Sequence, residues 1–162
     1  MSASGSFLSR GNRIVPMYAT LNILRGGEVR IMIKVLVVED DELISRMYQK
    51  VFQSEGYEVF VAENGQVGLD LARTKEPTII LLDIMMPKLN GMQMLQQLKA
   101  DPKIAKIPVV ILTNLSGTAD AEKALEFGAV KYIIKSEYKP KEVFDIVKKI
   151  LAAYTRDEVP KA

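Results

Sequence analysis

The run Thr78-Ile-Ile-Leu-Leu-Asp83 constrains this chain more than any other stretch. Its interior is apolar and β-branched in its first half. That suits a strand buried on both faces, as strands are in parallel sheets flanked by helices. The run stops abruptly in a carboxylate. Pro87 and the pair Asn90-Gly91 follow as turn signals. Asp83 is therefore expected at the C-terminal end of its strand, the edge at which open α/β sheets bind ligands.

The rest of the chain repeats this plan. Residues 33–38, 57–61, 107–112 and 131–134 read as further strands. Between them lie amphipathic segments. In residues 43–54, two apolar series recur every four positions: Leu43, Met47, Val51 and Ile44, Tyr48, Phe52. Residues 66–75 use Val67, Leu71 and Ala72, and residues 92–100 turn Leu95 and Leu98 inward. A helix over 119–127 ends before Gly128. The last opens at Pro140, with Val143, Ile146, Val147, Ile150 and Leu151 inward. Five β-α units in strict alternation predict a parallel sheet with helices on both faces and right-handed crossovers. Every strand then delivers its first polar residues to the same edge.

Composition narrows the chemistry at that edge. The chain has no cysteine and no histidine. Disulfides, thiolate metal sites and histidine bases are excluded, and the chain cannot be its own phosphohistidine donor. A metal here would be held by oxygen alone, which favours a hard cation such as Mg²⁺. No apolar run approaches the ~20 residues that cross a bilayer, and the N-terminus lacks the apolar core of a signal peptide. The chain reads as soluble and cytoplasmic.

The net charge of +2 is concentrated in the first 30 residues, where four arginines face Glu28. The remainder is close to neutral, so a basic pI is no argument for DNA binding. Residues 1–31 read as a disordered leader, or as one ahead of an alternative start at Met32. Residues 32–153 read as the folded domain, and 154–162 as a fraying tail.

Strand one brings Glu39 and Asp40 to the ligand edge, with Asp41 just inside the helix. Strand three brings Asp83, strand four Thr113 and strand five Lys135. Alone, each has an ordinary explanation: a helix cap, a turn hydroxyl, a solvated lysine. Together they are complementary. Crowded carboxylates repel, and a divalent cation relieves them. An aspartate beside Mg²⁺, a hydroxyl and a lysine can accept a phosphoryl group as an aspartyl phosphate.

These residues carry a resemblance. Val37-Val-Glu-Asp-Asp-Glu42, Leu82-Asp-Ile-Met-Met-Pro-Lys-Leu-Asn-Gly91, Leu112-Thr113 and Tyr132-Ile-Ile-Lys135 match the signature of the response-regulator receiver domains of two-component signalling. The resemblance covers about residues 32–153. It implies a flavodoxin-like three-layer (βα)5 sandwich with strand order 2-1-3-4-5. It makes Asp83 the phosphoacceptor and gives Mg²⁺ to Glu39, Asp40, Asp83 and the Met85 carbonyl. Thr113 and Lys135 would contact the phosphoryl group, and Tyr132 would follow Thr113 as the switch aromatic. Asp41 falls one place past the acidic pair and is expected to start the helix.

The implied partners are a histidine kinase or a phosphotransfer protein, and a downstream target met through the fourth-helix, fifth-strand and fifth-helix face. A homodimer is compatible; direct DNA binding and membrane contact are not expected. The reading is of a stand-alone switch, not a conventional enzyme. Its chemistry is limited to gaining and losing its own phosphoryl group.

Three departures from the family pattern stand out. Ser136 replaces the usual proline after Lys135, which predicts a trans peptide there. Asn114 is larger than the small residue usual after the switch threonine. Met85 and Leu115 cannot orient a water, which predicts slow self-dephosphorylation. Two rivals make different demands. A Mg²⁺-dependent aspartyl-phosphate phosphatase would place a second acid where Met85 stands. A phosphorylation-independent interaction module would have lost Asp83, Lys135 or the acidic pair.

Overall fold

The computed structural model describes residues 20–156. Its centre is a five-stranded parallel sheet of β3 (Lys34–Val38), β4 (Glu58–Ala62), β5 (Ile79–Leu82), β6 (Val109–Thr113) and β7 (Lys131–Ile134). The order is β4-β3-β5-β6-β7, which is 2-1-3-4-5 when the sheet strands alone are counted. Between them run α1 (Glu42–Ser54), α2 (Gly65–Lys75), α3 (Gly91–Ala100), α4 (Thr118–Glu126) and α5 (Pro140–Arg156). The expected flavodoxin-like (βα)5 sandwich is the observed fold.

Period-two alternation divides the core. Leu36, Val38, Ile80, Leu82 and Ile111 face one layer, where they meet Leu69, Ala72, Met94, Leu95, Leu98 and Ala124 of α2, α3 and α4. Val35, Val37, Ile79, Leu81, Val110 and Ile133 face the other, against Tyr48 and Phe52 of α1 and Val143, Phe144 and Val147 of α5. Each large side chain buried this way stabilises the fold by about 1.5–3 kcal/mol. An acid that ends so apolar a strand is therefore anchored by the whole core beneath it.

Several boundaries and faces differ from the sequence reading. Residues 20–31, assigned to a disordered leader, include most of an antiparallel hairpin of β1 (Thr20–Ile23) and β2 (Val29–Met32). Its turn needs Gly26 and Gly27 at positive φ. Four-residue strands are too short to show a period against an Arg- and Gly-rich background. The readings for residues 1–19 and 157–162 lie outside the described residues.

On α1, the stripe through Ile44, Tyr48 and Phe52 faces inward, whereas Leu43 is 79% and Met47 41% exposed. Two stripes four residues apart look alike in sequence, and only packing against α5 and the sheet chooses between them. On α2, Leu69 is buried and Val67 is exposed. The last helix continues to Arg156.

Candidate functional site

The site is built where the strand ladders end. Glu39 donates its amide to Ala62 O at 2.9 Å, and Asp83 donates its amide to Val38 O at 3.0 Å. Both acids thus leave the sheet from fixed backbone and are buried, while Asp40 is exposed. Asp41 caps α1 as expected. Its Oδ1 accepts from the Leu43 amide at 2.9 Å and the Ile44 amide at 3.1 Å.

Glu39, Asp40 and Asp83 each offer one carboxylate oxygen, and these atoms lie within 4.8 Å of one another. Lys135 reaches across from the edge strand. Its ammonium donates to Asp83 Oδ2 at 3.0 Å and to Glu39 Oε2. The lysine side chain is only 9% exposed, so these are desolvated, charge-assisted bonds. Asp83 Oδ1 accepts from the Met85 amide at 3.2 Å. Burial lifts the Glu39 carboxyl above its usual 4.5; the Asp83 charge adds to this and Lys135 opposes it.

The donor set fits a divalent cation. All donors are hard oxygens, and of the three carboxylates only Glu39 and Asp83 bond the Lys135 ammonium. Among the described residues no second cluster of this kind occurs.

Thr113 is the last residue of β6, not the first beyond it, and is fully buried. Its Oγ1 accepts from the Leu115 amide at 3.4 Å. The Tyr132 hydroxyl donates to Leu115 O at 2.7 Å. The turn after β6 is thus held by a hydroxyl from its own strand and a phenol from β7. Met85 is 62% exposed, Asn114 is exposed and Leu115 is half-buried. Lys135 to Glu137 form a single 3-10 turn, and the 135–136 peptide is trans.

Two residues were not singled out from sequence. Gly91, read only as a turn residue, presses on the Asp83 carbonyl. A Cβ there would lie 2.1 Å from Asp83 O and 2.7 Å from Ile84 Cα. Tyr48, read only as a core residue, lies close enough to Glu39 to feel its charge. Burial first, and that charge second, push its phenol from 10.0 up to about 12.

The folded state therefore keeps a proton that the unfolded chain releases near 10.0. Stability from this group is complete below that pH and is lost as the pH rises toward about 12. Tyr48→Phe is expected to lose less stability than wild type across that window, read from urea midpoints taken at rising pH.

The family description "Response regulator receiver domain" matches residues 35–148. A probable transcriptional regulator, ycf27 of Porphyra purpurea, is 36% identical over 118 residues, covering 73% of this chain and 47% of that protein. The chain spans about half the length of that relative and of others like it. The polar-differentiation response regulator DivK of Brucella anthropi is 36% identical over 101 residues, covering 62% of this chain and 82% of that protein. A solved structure described as the Mn(2+)-bound form of response regulator Rcp1 aligns with a TM-score of 0.61 at 27% identity. It covers 80% of this chain and 99% of that one.

Proposed function

Since the chain belongs to the response regulator receiver domain family, we propose that it is a phosphorylation-driven switch in which Asp83 accepts a phosphoryl group. The observation that carries this reading is the Asp83 carboxylate set between the Lys135 ammonium and two further acids. A carboxylate oxygen attacks phosphorus and the donor leaves, giving an aspartyl phosphate. The protein's part is positioning and charge neutralisation.

Glu39, Asp40, Asp83 and the Met85 carbonyl would hold Mg²⁺. When bound, the ion supplies positive charge to carboxylate and phosphoryl oxygens alike. The donor set supports this, as does the metal named for the Rcp1 structure. Lys135 neutralises a phosphoryl oxygen, and the Thr113 hydroxyl donates to another. Movement of Thr113 disturbs the turn that it shares with Tyr132 through Leu115. That turn leads into α4, so the change is passed to the face of α4, β7 and α5, where a downstream protein or a second copy docks.

The donor is a histidine kinase or a phosphotransfer protein, and the setting is the cytoplasm. Among the described residues no helix is long and apolar enough to cross a membrane. The chain's own chemistry stops at gaining and losing its phosphoryl group.

The test is incubation with Mg²⁺ and acetyl phosphate, followed by intact-mass measurement. One phosphoryl adduct is expected, and none with the cation chelated. No adduct under either condition would replace this reading with a phosphorylation-independent interaction module. Met85 and Leu115 flank the phosphoryl position and neither can orient a water. The adduct is therefore expected to be long-lived, with Met85→Asn shortening its half-life several-fold. An unchanged half-life would leave Met85 a packing residue only.

A further inference from the structure

The hairpin of β1 and β2 stands apart from the rest of the domain. It is a two-stranded sheet of its own, and neither outer edge pairs with another strand among the described residues. Its register sets Leu21 against Ile31 and Ile23 against Val29. By strand alternation these four apolar residues share one face, and Asn22, Glu28 and Arg30 share the other. Ile23 is 74% and Val29 55% exposed, Leu21 is exposed too, and none of the four joins either core layer. A lone two-stranded hairpin is marginal in water, and three or more strands with an apolar face are needed for stability.

The backbone shows where further strands can join. The Leu24 amide donates to Glu28 O at 2.8 Å, so that pair turns its bonding groups inward. Alternation then turns those of Val29 and Ile31 outward along β2. If β2 pairs antiparallel with its own copy, outward residues must meet outward residues, so the twofold axis falls on Val29, Arg30 or Ile31. On Arg30 it sets two guanidinium groups face to face. On Ile31 it draws in Ile33, whose carbonyl already accepts from the Glu58 amide at 2.9 Å. On Val29 it sets Glu28 against Arg30 of the second copy, twice, and opposite charges so placed are stabilising. The edge of β1 offers no such pairing, because Thr20 to Ile23 carry no charge.

We propose that the β2 edge joins a second copy of this chain across a twofold axis at Val29, giving a four-stranded antiparallel sheet. Glu28 and Arg30 flank Val29 with opposite signs, so each copy presents what the other needs, as an isologous interface requires. The apolar faces of the two hairpins become continuous. This surface lies outside the family-matched residues 35–148 and uses no phosphoryl group, so two copies are held together before either is phosphorylated. The paired strands have four residues each. Their contact falls below the ~1,200 Å² of a standard interface, so the association is weak and reversible.

Sedimentation velocity of the full chain, at low ionic strength and without a phosphodonor, reads the association from about 10 μM to about 1 mM. Wild type is expected to pass from monomer to dimer across that range. Glu28→Arg sets positive charges against each other at the axis, and Arg30→Glu sets negative ones. Each variant alone is expected to raise the dissociation constant roughly tenfold, about 1.4 kcal/mol. Mixed in equal amounts, the two variants recover both opposite-charge pairs, and the mixture is expected to dimerise within about twofold of wild type. Both residues are exposed and outside the core, so folding is retained. A wild type that stays monomeric throughout overturns the proposal. So does association that neither variant weakens, which would place the interface elsewhere, and so does weakening that mixing fails to reverse.

Discussion

Asp83→Asn is expected to take up no phosphoryl group from acetyl phosphate and to be more stable than wild type when divalent cations are chelated. The amide keeps the carboxylate's shape, and its oxygen can still accept from the Met85 amide. What it loses is the nucleophile, one negative charge and the oxygen that accepts from Lys135. In wild type that charge is attracted by Lys135 and repelled by Glu39 and Asp40, whose oxygens lie within 4.8 Å. Lys135 keeps Glu39 as a partner in the variant. Unit charges about 4 Å apart interact by up to about 4 kcal/mol at intermediate dielectric, much of which cancels here, leaving a net gain of about 1 kcal/mol. Urea unfolding with and without Mg²⁺ measures it, and the gain should vanish when the cation is supplied. An adduct on the variant would move the acceptor to another residue.

Gly91→Ala is expected to damage both stability and chemistry. The added methyl would sit 2.1 Å from the Asp83 carbonyl oxygen, far inside contact distance, and the obstacle is backbone rather than a side chain that can swing away. Either the start of α3 or the segment from Asp83 to Ile84 must shift. Overpacking of this kind costs about 3 kcal/mol. The segment that would move carries Asp83 and the Met85 peptide. Displacing reacting groups by about 1 Å can cost ~100-fold in rate. Urea midpoints and the rate of labelling by acetyl phosphate test the two parts separately. A variant as stable and as fast as wild type would mean that α3 moves aside freely.

Much of this architecture was legible because its signals are local. Ile79 to Leu82 is uniformly apolar, ends in an acid, and is a fully buried central strand. Five short, largely apolar runs separated by helical segments leave few arrangements other than a parallel sheet. The convergence of Glu39, Asp40, Asp83 and Lys135 follows once every strand ends at one edge. What escaped notice depends on distances between remote segments. Nothing near Gly91 in sequence announces the Asp83 carbonyl against it. Leu43 and Met47 share the spacing of Ile44 and Tyr48, and only packing against the sheet and α5 decides which pair is covered. A groove beside Lys135 joins residues from α1, from the turn after β6 and from the segment after β7. No window along the chain contains all three.

The two buried acids are held by their own backbones: the amide of Glu39 bonds Ala62 O and that of Asp83 bonds Val38 O. Those protons can exchange with deuterated solvent only when the central sheet opens, the slowest event available to a domain of this kind. The Leu115 amide rests on a 3.4 Å contact to Thr113, and its exchange follows the lighter motion of one turn. Deuterium uptake would thus find a slow clock and a fast clock within a single site. The acidic side is held by the sheet itself, and the turn that leads into α4 is held by one long side-chain contact and one phenol.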